Sequence, residues 1–142
     1  MARYFDVTLV GIYGGTHNGK PHEISGRLYA KILNRDHIEM RSHEMFVSDT
    51  PIKINEGNML TINKEIRESV AEDNLDMNLL GEYLAIGGTL LGGTLSDSPR
   101  YILIHSFDLI NPDQKFRVYF GSYDTSQWVE AEFNVNFAHD HL

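Results

Sequence analysis

The sequence predicts an all-β protein: one antiparallel β-sandwich domain over residues 1–142, with about eight strands and at most one or two short helices. Three observations predict it. Residues 115–137 alternate apolar and polar side chains on both sides of a short turn, the pattern of a half-buried β-hairpin. Other alternating segments recur upstream at spacings of about 8–15 residues, the rhythm of a sandwich or barrel. The breaks between them are rich in Gly, Pro, Asn and Asp, each suited to turns.

The elements follow in order. Residues 4–13 set Phe5, Val7 and Leu9 against Asp6 and Thr8. Val10 and Ile12 then make the second side apolar too, which predicts a strand that becomes buried on both faces. Residues 23–33 place Ile24, Gly26, Leu28, Ala30 and Ile32 opposite Ser25, Arg27, Tyr29 and Lys31. Residues 36–46 alternate more weakly, and Pro51 to Ile54 reads as a short edge strand, since proline is confined to sheet edges. Ile62, Ile66 and Val70 recur at helical spacing, which predicts one short helix over 61–72. The acidic stretch 71–78 reads as a loop. Residues 80–92 form a strand interrupted by Gly87-Gly88 and Gly92-Gly93, and glycines inside a strand mark a bulge or a close backbone approach. Residues 100–110 alternate again, and Asn111-Pro112-Asp113-Gln114 turns into the terminal hairpin.

Folding that hairpin at Tyr123-Asp124 sets a register. Tyr119 faces Trp128, Arg117 faces Glu130 and Lys115 faces Glu132, while Val118 meets Val129 and Phe116 meets Ala131. One face is then apolar, and the other carries an aromatic pair and two opposite-charge pairs.

Composition excludes several classes. The net charge of -8, from 20 acidic and 12 basic residues, argues against nucleic acid or an anionic membrane surface as the main partner, because phosphate binding needs a basic footprint. The absence of cysteine excludes disulfides, thiol catalysis and cysteine-ligated zinc. No apolar run approaches the roughly 20 residues of a spanning helix, so no integral membrane association is expected. Asp6 interrupts any signal-peptide core. The expected compartment is cytoplasmic, although a mature secreted or phage-encoded product reads the same. Oligomeric state is open, and no cofactor is expected.

Three motifs bear on function. Gly14-Gly15-Thr16-His17-Asn18-Gly19-Lys20-Pro21 follows an apolar strand and matches G-x-x-x-x-G-K. Gly14 and Gly19 would let backbone N–H groups cradle phosphates, and Lys20 would reach the terminal phosphates. From Val10 to Leu33 the chain resembles the start of a uridine-kinase-like enzyme, which implies nucleotide binding at Gly14, Gly19 and Lys20. Pro21 stands where that family has the magnesium-binding Ser or Thr. The bland reading of the segment is a glycine-rich surface loop. The length, the strand count and the loop Asn18-Gly19-Lys20-Pro21 ahead of a strand resemble a C2 domain, which implies calcium-dependent membrane binding through loop aspartates. The first loop has His17 and Glu23 but no aspartate. The best oxygen cluster, Glu72, Asp73, Asp76 and Asn78, lacks the glycine and terminal glutamate of an EF-hand loop. His139 and His141 form an H-x-H pair that can chelate a metal in an extended segment, or stay solvated.

The remaining candidate is the polar face of the hairpin. Glu130 and Glu132 lie about 7 Å apart by strand geometry, a spacing compatible with a glycosidase pair. Their partners Arg117 and Lys115 make a solvated charge ladder the better explanation of them. Tyr119 and Trp128 on the same face offer a platform for carbohydrate or protein. The sequence therefore predicts a non-enzymatic binding or interaction module, with Tyr119, Trp128, Glu130 and Glu132 as its candidate contact residues. A nucleotide-binding enzyme and a calcium-dependent module are the rival readings.

Overall fold

A computed structural model describes residues 2–71, 82–105 and 113–138. Eight strands run in sequence: β1 Ala2–Gly14, β2 His22–Leu33, β3 Glu39–Ile54, β4 Met59–Ala71, β5 Tyr83–Leu91, β6 Arg100–His105, β7 Gln114–Gly121 and β8 Trp128–Ala138. They form two four-stranded sheets, ordered β4-β1-β8-β7 and β3-β2-β5-β6. Every pairing is antiparallel. The two sheets pack face to face around one core, so the architecture is the expected β-sandwich. No helix is found among the described residues, and so none is long and apolar enough to cross a membrane.

The core is built from alternate residues of both sheets. Phe5, Val7, Leu9 and Ile12 of β1 and Val129, Ala131, Phe133 and Val135 of β8 meet Ile24, Leu28, Ala30 and Ile32 of β2 and Leu84, Ile86 and Leu90 of β5. All are essentially sealed from water. Their burial is the main favourable term in folding, at about 1.5–3 kcal/mol for each large side chain.

Four local expectations are corrected. The segment 61–72 is not helical: it belongs to β4, which pairs with β1 from Ala2↔Ala71 to Tyr13↔Met59. The spacing of four that joins Ile62, Ile66 and Val70 fits a helix, but it is also an even number. A strand puts all three on one face, and Leu60 joins them there. The odd positions Thr61, Asn63, Glu65 and Arg67 point to solvent.

The doubly apolar end of β1 is a bulge. Pairing with both neighbours slips between Leu9 and Gly11: Val10 is an extra residue against β8, while on the other side Ile62 and Asn63 of β4 stand opposite it, and the inward phase of β1 passes from Leu9 to Ile12. This turns Tyr13 outward. Asn63 takes a left-handed φ of 53° at the slip in β4, a conformation asparagine tolerates better than most residues.

The two weak segments 36–46 and 51–54 form one strand, β3. It lies at the edge of its sheet, and that position admits Pro51. Its pairing with β2 slips three times, which blurs the alternation read from sequence.

The terminal hairpin is offset by two residues. Tyr119 faces Glu130, Arg117 faces Glu132, Lys115 faces Asn134, Val118 faces Ala131 and Phe116 faces Phe133. The cause is a longer turn. Ser122 N–H donates to Gln127 O at 2.9 Å, leaving a four-residue loop, Tyr123 to Ser126. Asp124 organises that loop by accepting from Ser122 Oγ at 2.7 Å, Ser126 Oγ at 2.7 Å and Ser126 N–H at 3.0 Å. The hydroxyls of Ser122 and Ser126 hold its carboxyl at a pKa of about 2. Because a strand repeats every two residues, the offset leaves both faces of the hairpin intact.

β5 runs through the middle of its sheet with Gly87 and Gly88 at φ of 144° and 151°. A methyl group at either position would lie 2.0–2.1 Å from the carbonyl oxygen of Arg100 or Arg27. Only glycine allows that approach.

Candidate functional site

The outward face of the first sheet gathers three rings. Trp128 opens β8, Tyr119 lies diagonally across on β7, and Tyr13 comes from β1 on the other side. Trp128 and Tyr119 stack with centroids 5.8 Å apart and planes at 25°. Trp128 and Tyr13 are 6.0 Å apart at 41°. Two glycines let these rings lie low. A methyl at Gly15 would fall 2.2–2.4 Å from three atoms of the indole, over its ring fusion, and one at Gly121 would fall 2.4 Å from the Tyr119 ring. Each ring covers bare backbone, the way an aromatic side chain shields a glycine in a sheet. Trp128 and Tyr13 are consequently half-buried, while Tyr119 stays 46% exposed.

Beside the rings sits a recess of about 280 Å³ lined by Tyr13, Met59, Arg117, Glu130 and Glu132. Arg117 reaches both carboxylates. Its Nη2 is 3.2 Å from Glu132 Oε1 and its Nη1 is 3.7 Å from Glu130 Oε2. The two glutamates are largely covered, with side chains 21% and 15% exposed, whereas Arg117 is 66% exposed. Tyr119, Trp128, Glu130 and Glu132 lie on one face of the sheet, and in the offset register Arg117 reaches both acids. Lys115 lies opposite Asn134 instead. Both acids project from one side of one strand and share one cation. The two carboxylates offer hydrogen-bond acceptors and the guanidinium offers donors, all charged and therefore strong.

The glycine-rich loop 14–21 borders the same site. Gly15 N–H donates to Trp128 O at 3.0 Å, and Trp128 N–H donates to Thr16 O at 3.1 Å. The loop does form an anion cradle: His17 N–H and Gly19 N–H converge on one oxygen, at 2.6 and 3.1 Å. That oxygen is Glu56 Oε1, from the turn between β3 and β4. Asn18 and Gly19 take left-handed φ values of 52° and 77°, a backbone shape that points successive N–H groups at an anion. Hydrogen bonds from His17 and then Gly19 hold the Glu56 carboxyl below its ordinary range. Lys20 is exposed. The loop leads into strand β2, not into the helix on which a phosphate loop depends.

Beneath the loop lies a polar relay. His22 is fully buried. Its Nε2 faces Gly15 O at 2.8 Å and its Nδ1 faces Gln127 Nε2 at 3.5 Å. The carbonyl calls for a proton on Nε2, and the amide donates to Nδ1. Gln127 Oε1 accepts from Thr94 N–H at 2.8 Å and Thr94 Oγ1 at 3.1 Å. The His17 ring stacks on His22 at 4.9 Å. Three loops are thereby tied behind Trp128.

The outward face of the second sheet carries two further recesses, of about 340 and 240 Å³. Their cations are occupied. Arg27 pairs with Glu44 at 2.8 Å and Asp49 at 3.4 Å. Lys31 pairs with Glu39 at 2.8 Å and lies 4.8 and 5.3 Å from the ring centres of Tyr29 and Tyr101.

The calcium candidates Glu72, Asp73, Asp76 and Asn78, and the pair His139 and His141, lie outside the described residues. Among the described residues no group of three or more His, Cys, Asp or Glu side chains is placed to hold a metal ion. Tyr13, Gly15 and Glu56 belong to the site but do not emerge from the sequence. Tyr13 is hidden by the bulge at Val10, and the other two act through contacts distant in the chain. No protein-family model matches this chain, and no curated protein matches it in sequence.

Proposed function

We propose that this protein is a non-enzymatic carbohydrate-binding module whose site is the strip Tyr13–Trp128–Tyr119 with Arg117, Glu130 and Glu132. One observation carries the reading: of three adjacent rings one, Tyr13, lines a recess whose charged groups are two carboxylates and a guanidinium. A sugar presents an apolar C–H face and a rim of hydroxyls. Flat rings cover the first, and charged acceptors and donors bind the second strongly. The small number of polar groups beside apolar rings is the usual make-up of a small-ligand site. A protein partner fits less well, because the centre of a protein interface is depleted in charge, and here three charged groups lie directly beside the rings.

The test is direct because Trp128 is the single tryptophan. Its emission reports this site alone. A panel of neutral, acidic and amino-bearing oligosaccharides should include one that changes Trp128 emission saturably. Tyr119→Ala should abolish that response while the far-ultraviolet circular dichroism is unchanged. No saturable response to any oligosaccharide, or binding that survives Tyr119→Ala at full strength, would refute the reading.

A further inference from the structure

The sequence advertises an anion-binding loop, and the chain fills it with its own carboxylate. We propose that Glu56 is the positioning residue of the Trp128 platform: it acts as a built-in anion that latches loop 14–21 beneath the indole.

The chain of contacts is short. Glu56 Oε1 takes the amides of His17 and Gly19. Those amides belong to the same loop whose Gly15 lies flat under the indole and whose Thr16 O accepts the Trp128 N–H. The turn that carries Glu56 is itself docked on the loop's first residue, with Gly57 N–H donating to Gly14 O at 2.7 Å and Gly14 N–H donating to Asn58 O at 2.8 Å. Without an acceptor at Glu56 the loop would keep its root at Gly14 but lose the contact that fixes its outer half. Two amides already converging at a left-handed turn would be left with no protein acceptor, and water alone would fill the cradle. Gly15 and Thr16 would keep their hydrogen bonds to Trp128, but the adjoining residues His17 to Gly19 would lose their tie to the turn between β3 and β4, and the indole would rest on a loop anchored on one side only.

The latch depends on charge as well as shape. An ionised carboxylate accepts these amides more strongly than a neutral one. The groups facing this region are His17, His22 and Lys20 on the loop side, and Tyr13, Tyr119, Arg117, Glu130 and Glu132 on the sheet side. Glu130 and Glu132 are carboxylates as well, so a variant of Glu56 is needed to separate its effect from theirs. Glutamine keeps the shape and an acceptor oxygen but carries no charge.

The latch itself is independent of what the platform binds; its consequence for affinity rests on the carbohydrate reading above. The experiment therefore uses no ligand. Trp128 emission and acrylamide quenching are followed against pH in the full chain, in Glu56→Ala and in Glu56→Gln, with far-ultraviolet circular dichroism as the fold control. Glu56→Ala should shift Trp128 emission to the red and increase quenching at neutral pH. Glu56→Gln should restore most of the wild-type signal there. Wild-type emission should carry an acid transition below the ordinary glutamate range that Glu56→Gln lacks. Unchanged emission and quenching in Glu56→Ala would overturn the proposal, as would an identical acid transition in wild type and Glu56→Gln.

Discussion

Replacing Gly15 by alanine tests whether Trp128 is held as described. The added methyl would stand 2.2 Å from the nearest indole atom. Ordinary carbon–carbon contact is about 3.5–4.0 Å, so the two must separate by roughly 1.3 Å or more. Neither side yields easily. The backbones of Gly15 and Trp128 are joined by one hydrogen bond, and Trp128 N–H is tied to Thr16 O. The ring is hemmed in by Tyr119 and Tyr13 at 5.8 and 6.0 Å. Forcing a methyl into packing of this kind costs about 1–3 kcal/mol. For a chain of this size that is a fall in Tm of about 3–4 °C per kcal/mol. Urea unfolding of Gly15→Ala, followed by circular dichroism, gives the cost. Trp128 emission in the folded state reports the displaced ring. A loss below about 0.5 kcal/mol with unchanged emission would mean that the indole does not lie on Gly15, and the argument for an ordered platform would fail.

Other outcomes follow from the same geometry. Phe133 is fully buried and faces Leu9 and Phe116 across its two neighbouring strands, so Phe133→Ala should cost about 3–5 kcal/mol in urea unfolding. Glu130→Gln should cost under about 1 kcal/mol, because its partner Arg117 is mostly solvated and 3.7 Å away; a double-mutant cycle with Arg117→Ala checks this. Glu68 of β4 reaches across the open edge of the sandwich to β3, accepting from Arg41 Nε at 3.1 Å and lying 2.7 Å from His43 Nε2. Burial pushes its carboxyl up, but hydrogen bonds from His43, Ser69 N–H and Arg41 outweigh that and leave it lowered. A lowered folded pKa means that the ionised form stabilises the native state above the unfolded value, near 4.3, and that this stability is lost as pH falls through the folded value. The urea midpoint should therefore drop below about pH 4.3 more steeply in wild type than in Glu68→Gln. Parallel profiles would exclude the clasp.

Much of the fold was legible because alternation is a local signal. The hairpin faces, the inward set of β2 and the edge placement of Pro51 all came from residues read in order. The errors have specific causes. A spacing of four between Ile62, Ile66 and Val70 satisfies two periods at once, and pairing with β1 decides between them. The bulge at Val10 shifts the phase of β1, and its one local mark is the neighbouring Gly11, where a methyl group would lie 2.3 Å from the carbonyl oxygen of Leu60. The hairpin register depended on turn length, and Asp124 sets that length through hydroxyls on either side of it. The site was half legible. Trp128, Tyr119, Glu130 and Glu132 share one face in either register, so the two-residue offset moved their partners and not their company. Tyr13, Gly15 and Glu56 join them from strands and turns far away in sequence, and nothing in their local sequence announces that meeting. In the phosphate-loop-like segment Gly14 to Lys20 the amides of His17 and Gly19 converge on an anion that is a side chain of the same molecule, while Gly14 N–H donates to Asn58 O.

The central claim is that the ring strip of the first sheet is the binding surface. Its most direct test is amide and indole chemical-shift mapping with the oligosaccharide that gives the strongest Trp128 response. The account predicts that the single indole N–H resonance and the amides of Tyr13, Tyr119, Gly121 and Glu130 move together to saturation, while Tyr29 and Tyr101 on the opposite sheet stay still. Saturable shifts confined to Tyr29, Tyr101 and their neighbours, with the Trp128 indole unmoved, would contradict it.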